Sequence, residues 1–101
     1  MTDILEAYLA RSPNVVGRRV GGEFILVPIV DRGVDASAIY SLNDVGTFIW
    51  ERLDGQTSGQ ALVGALVEAF EVDATRASAD YEAFVTQLRS VGAIHPVLEG
   101  P

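Results

Sequence analysis

Ala38-Ile39-Tyr40-Ser41-Leu42-Asn43-Asp44-Val45-Gly46-Thr47-Phe48-Ile49-Trp50-Glu51-Arg52-Leu53-Asp54-Gly55 is the stretch in which the pattern of this chain changes. Residues 38–42 carry β-branched and aromatic side chains without a charge or a proline, the composition of a short strand. Asn43 is a favourable helix N-cap, because its side-chain oxygen accepts from an amide of the first turn. Beyond it Val45, Phe48, Ile49 and Leu53 recur at helical spacing, with Trp50 beside them. Gly55 stands where a left-handed residue closes a helix. A strand passing directly into a helix is predicted here.

Upstream the chain reads as strands. VVGRRV (15–20) and EFILVPIV (23–30) flank Gly21-Gly22, a two-residue turn signal. Pro28 removes a ladder donor and places a bulge or an outward-facing amide position in the second strand. Asp31-Arg32-Gly33 turns the chain again before 38–42, so three strands form an antiparallel meander. The first residues differ. Ile4, Leu5, Tyr8 and Leu9 share one face of a helix over 3–10, which is too short to persist unless it docks. Ser12-Pro13-Asn14 ends that segment.

Downstream the period is helical. Thr57 and Gln60 have capping-box spacing and open a helix over 58–70 with Leu62, Val63, Leu66, Val67 and Phe70 inside. Asp73 is the next N-cap, and Ala77, Tyr81, Phe84, Leu88 and Val91 form the core stripe of a third helix that Gly92 stops. Ile94 begins a tail in which Pro96 and Pro101 discourage regular structure. The expected fold class is α+β, winged-helix-like, a three-stranded antiparallel sheet followed by a three-helix bundle.

The 101 residues suit one domain with one core. With no cysteine there is no disulfide framework, thiolate nucleophile or cysteine-held metal. No apolar run reaches the length of a membrane span, and no signal segment precedes the domain, so a soluble cytoplasmic protein is expected. His95 is the single histidine and has no second ligand for a metal. Asp80 and Glu82 are two apart on a helix and do not converge as catalytic carboxylates do. No feature calls for an enzyme, a cofactor or a metal. The net charge is −7, and residues 57–92 hold Arg76 and Arg89 against Glu68, Glu71, Asp73, Asp80 and Glu82. A DNA-recognition helix placed there would repel phosphate rather than neutralise it.

Peptide binding survives these exclusions. The third strand ends the meander and is expected at a sheet edge, where unpaired N–H and C=O groups await a partner. A guest peptide that adds as a strand gains backbone bonds from that edge and selectivity from adjacent pockets. The alternatives are a self-associating structural or interaction subunit that forms a homodimer by pairing through the same edge strand, and a winged-helix DNA-binding protein. The apolar face over 3–10 motivates the first.

The residues Ile39-Tyr40-Ser41-Leu42-Asn43-Asp44-Val45-Gly46, then Ile49-Trp50-Glu51, Leu53-Asp54-Gly55, and later Phe70, Phe84, Leu88 and Gly92, resemble the PqqD-like family over about positions 15–94. The resemblance implies a non-catalytic recognition element for ribosomally made, post-translationally modified peptides. It implies that the leader segment of a precursor peptide adds to the third strand, against the third helix. It also implies presentation to a modifying enzyme, often a radical-SAM protein of the quinone-cofactor pathway. Carried onto this chain, the groove falls on Ala38, Ile39, Tyr40, Ser41 and Leu42, with Tyr40 and Leu42 on one face. On the third helix the expected leader-facing stripe is Ser78, Glu82, Val85 and Arg89. Ordinary core is the alternative for Val85, and an ion pair the alternative for Glu82 and Arg89. The implied division is an amphipathic extension over 1–13, the recognition domain over 14–95 and a tail over 96–101. The second strand lacks a segment expected of members dedicated to the quinone cofactor, so the pathway is left open.

Overall fold

A computed structural model describes residues 5–28 and 40–97. The order is β1 (Tyr8–Arg11), β2 (Val15–Val20), β3 (Glu23–Pro28), β4 (Tyr40–Leu42), α1 (Asp44–Glu51), β5 (Asp54–Ser58), α2 (Gly59–Phe70), α3 (Ala74–Ser90) and β6 (Ile94–Val97). The strands form two antiparallel sheets, β2-β3-β4 and β5-β1-β6. The first sheet and the three helices match the α+β expectation. The second sheet was not anticipated.

The β2–β3 hairpin turns at Gly21-Gly22, with Val20 opposite Glu23 and Gly21 at φ 61°. That left-handed backbone costs glycine nothing. Pro28 ends β3, opposite Val15. Ala38 and Ile39, expected in the third strand, and Ile29 and Val30, expected in the second, lie outside the described residues.

Two local expectations are corrected by pairing. The segment expected as a helix over 3–10 contains β1, the middle strand of its sheet, held by β5 on one side and β6 on the other. Eight residues cannot sustain a helix alone, whereas pairing on both edges satisfies the backbone and leaves Leu9 1% exposed in the core. Of the apolar face that motivated self-association, Leu9 is buried, Leu5 and Tyr8 are half-buried, and Ile4 lies outside the described residues. The expected tail is β6, in register with β1 from Ile94 opposite Arg11 to Val97 opposite Tyr8. Pro96 is tolerated because β6 is an edge of its sheet.

The first helix is shorter than its periodicity suggests. It ends at Glu51, where the Arg52 amide donates to the carbonyl oxygens of Ile49 and Trp50. Arg52 also donates to the Phe48 carbonyl at 3.1 Å, its guanidinium 3.5 Å from the centre of the Phe48 ring. Arg11 donates from β1 to the Trp50 and Glu51 carbonyls at 3.5 and 3.4 Å. Two cations at the negative end of α1 suit its dipole. Gly55 keeps its positive φ, 77°, but inside β5, where an added Cβ would stand 3.2 Å from Val97 and 3.5 Å from Ala10.

The caps of α1 and α3 are the expected ones. Asn43 accepts from the Gly46 amide at 2.8 Å and Asp73 from the Arg76 amide at 2.7 Å. The cap of α2 is Ser58, accepting from Ala61 at 3.1 Å, and not Thr57. Thr57 instead donates to Asp54 at 3.4 Å. The core gathers Leu9 from the second sheet, Leu26 from the first, and Ile49, Leu62, Leu66, Tyr81 and Leu88 from the helices. Trp50 is 3% exposed and belongs to it. No helix among the described residues is long and apolar enough to cross a membrane.

Candidate peptide-binding groove

Among the described residues β4 pairs on one side only. Leu42, Ser41 and Tyr40 stand opposite Phe24, Ile25 and Leu26 of β3. Along the β4 side of α3 runs a cleft of about 240 Å³, lined by Tyr40, Ser41, Leu42, Asn43 and Gly46 on one wall and Phe84, Gln87 and Leu88 on the other. The side of β4 that is unpaired among the described residues and the amphipathic α3 thus flank the cleft.

The trough is set by the strand-to-helix junction. Asn43 stops β4 and starts α1 within one residue, which swings Gly46 beneath the end of the strand. A Cβ on Gly46 would lie 3.0 Å from the Phe84 ring, 3.3 Å from the Asn43 side-chain oxygen and 3.4 Å from Leu42. The absence of a side chain lets α3 approach closely and lays the Phe84 ring at the cleft wall.

The carried-over positions separate. Tyr40 and Leu42 line the cleft, half-buried, and pack on the core. Ser41 lines it too, and its hydroxyl donates to Glu23 at 3.1 Å, so the backbone is what Ser41 offers a ligand. On α3 the expected stripe is displaced by about one residue. Val85 is fully buried, its alternative as ordinary core, and has no surface for a peptide. Ser78, Glu82 and Arg89 do not line the cleft, and no ion pair joins Glu82 to Arg89. The core side of α3 is Ala77, Tyr81, Val85 and Leu88, which leaves Phe84 half-exposed. Ala77, Tyr81, Val85 and Leu88 fit helical spacing as well as the stripe expected through Phe84, so periodicity did not choose between them. Gly46, a glycine in the first turn of a helix, was the available sign of close approach.

The sequence profile of coenzyme PQQ synthesis protein D (PqqD) matches residues 23–94, which contain β3, β4, all three helices and the cleft between them. The chain belongs to the PqqD family. Two solved structures share its fold. One is lasso peptide synthetase B1 complexed with the leader peptide, 24% identical, TM-score 0.73, covering 89% of this chain and all of that one. The other is TbiB1 in complex with the TbiA(beta) leader peptide, 20% identical, TM-score 0.70, covering 89% of this chain and 99% of its own. No curated protein matches the chain. This PqqD-family chain carries 23–94 as the shared body, while β1, β2 and most of β6 lie outside the matched span.

Proposed function

We propose that this PqqD-family chain is a leader-peptide recognition module. It takes an extended segment of a ribosomally made precursor peptide as an added strand on β4, against α3, and presents it to a modifying enzyme. The observation that carries the reading is the β4 edge: unpaired among the described residues on the side where Phe84, Gln87 and Leu88 complete a cleft. Strand addition supplies the backbone bonds, and the half-buried Tyr40, Leu42 and Phe84 supply apolar contact. A few such bonds at about 0.5–1.5 kcal/mol each, with one or two apolar anchors at ~1.5–3 kcal/mol each, offset the cost of ordering the peptide and leave micromolar affinity. The two fold neighbours, both held with leader peptides, support this reading. A radical-SAM enzyme is one class of partner that such a module serves.

Peptides selected from a random-sequence phage library test the reading by fluorescence polarisation. Ser41→Pro removes a backbone donor from β4, and Gln87→Trp fills the cleft from the exposed side of α3. Each is expected to weaken binding by roughly tenfold or more, the equivalent of one lost anchor. Selected peptides that bind both variants as they bind the wild type would refute the groove.

A further inference from the structure

The cleft beside β4 does not close at the end of the strand. A second cleft, of about 380 Å³, lies between α1 and α3 and is lined by Val45, Ala83, Arg76 and Asp80 among others. Both clefts are lined by Asn43, Gly46, Phe84 and Gln87. Gly46 is buried with the half-exposed Phe84 ring packed against it, and Asn43 and Gln87 are exposed beside them, so the four residues form a low saddle between the two clefts. From Leu88 to Arg76 the α3 side of the combined trough is about 18 Å long, at roughly 1.5 Å per helical residue. That length holds about five or six residues of extended chain, at roughly 3.3 Å each. The described part of β4 has three residues, so two or three residues of a seated peptide run past its end.

The second cleft has its own chemistry. Half-buried Val45 and exposed Ala83 offer an apolar floor. Arg76 and Asp80, 3.8 Å apart and with side chains 72% and 47% exposed, stand at its far end. An ion pair so open to water is worth little and exchanges readily for a polar group of a ligand. At the saddle the exposed Gln87 amide carries both donors and an acceptor, as an extended backbone leaving the strand edge requires.

We propose that the peptide seated on β4 continues past Leu42 over this saddle, and that the α1–α3 cleft is its second subsite. There an apolar side chain rests on Val45 and Ala83, and a polar one reaches Arg76 or Asp80. The inference rests on the peptide-binding reading above and extends it from the strand edge to the first helix. Selectivity is then set at two places, the apolar contacts beside β4 and the mixed contacts beside α1.

The test uses a phage-selected peptide, made synthetically at full length and shortened by two or three residues from either end. Shortening the end past Leu42 is expected to weaken binding to the wild-type protein by roughly tenfold, as for one lost apolar contact. Ala83→Arg fills only the second cleft. In that variant the full-length peptide binds about as weakly as the shortened one, and the same truncation costs less than about twofold. Ala69→Arg, on the exposed face of α2, controls for added charge and behaves as wild type. Equal truncation costs in wild type and Ala83→Arg, with Ser41→Pro still weakening binding by roughly tenfold or more, would overturn the second subsite and leave the β4 groove standing. Indifference to Ser41→Pro and Gln87→Trp would overturn the groove and the subsite together.

Discussion

Tyr81 illustrates how one residue carries an unbalanced cost. Its ring is fully buried at the middle of α3, and its hydroxyl has no hydrogen-bond partner among the described residues. Burial pushes the phenol pKa up to about 12. Leaving such a group unpaired costs about 1–3 kcal/mol, so Tyr81→Phe is expected to raise stability by about 1 kcal/mol in urea unfolding. The pH dependence has a definite sign. The folded state holds the proton more tightly than the unfolded one, so stability is complete below pH 10 and declines as pH rises from 10 towards 12. Unfolding curves at pH 8 and 11 check this, and Tyr81→Phe should lose less stability between them. Asp54 is the opposite case, its carboxyl held below the usual range first by the Gln56 amide. That contribution fades as pH falls.

At the scale of elements, side-chain choices at the helix starts decide where strands stop. Asp54 accepts from the Gln56 amide at 2.9 Å and from Thr57, which holds β5 in place and delays α2 by one residue. A capping box read from spacing alone assigns the cap to Thr57, but the Gln60 amide that Thr57 would cap donates to the Leu5 carbonyl at 2.7 Å instead. Ser58→Ala is therefore expected to cost about 1 kcal/mol, and Thr57→Ala clearly less, in thermal or urea unfolding. The reverse order would restore the cap to Thr57. The α3 stripe was misread for a related reason. Neighbouring positions on a helix are about 100° apart, and only the approach of α1 over Gly46 settles that Val85 turns inward and Phe84 towards the cleft.

At the scale of the molecule, two small sheets share one core with three helices. β1 joins β5 and β6, whose sequence positions are far apart, so it links the exit of α1 to the end of the chain. The Arg11 amide donates to Leu53 at 3.2 Å and the Ser12 amide to Ala93 at 2.8 Å. Residues 1–11 are consequently expected to be required for folding. Their deletion removes the middle strand and the buried Leu9, and should abolish cooperative unfolding; Leu9→Ala alone should cost about 2–5 kcal/mol. A shortened chain with wild-type unfolding would mean that the second sheet contributes nothing.

Features that depend on neighbours in sequence were legible in advance. The hairpin at Gly21-Gly22, the caps at Asn43 and Asp73, the existence of three helices and the α+β class all follow from turn chemistry and from periods of two and about 3.6, which act over a few residues. Tyr40, Ser41 and Leu42, which line the cleft, were legible as a strand because a short uncharged stretch ahead of an N-cap is itself a local signal. The pairing of β1 with β5 and β6, the face of α3 that meets the cleft and the saddle at Gly46 were decided only by tertiary contact. Each is a choice between local alternatives of similar energy, settled by burial of side chains brought together from distant parts of the chain.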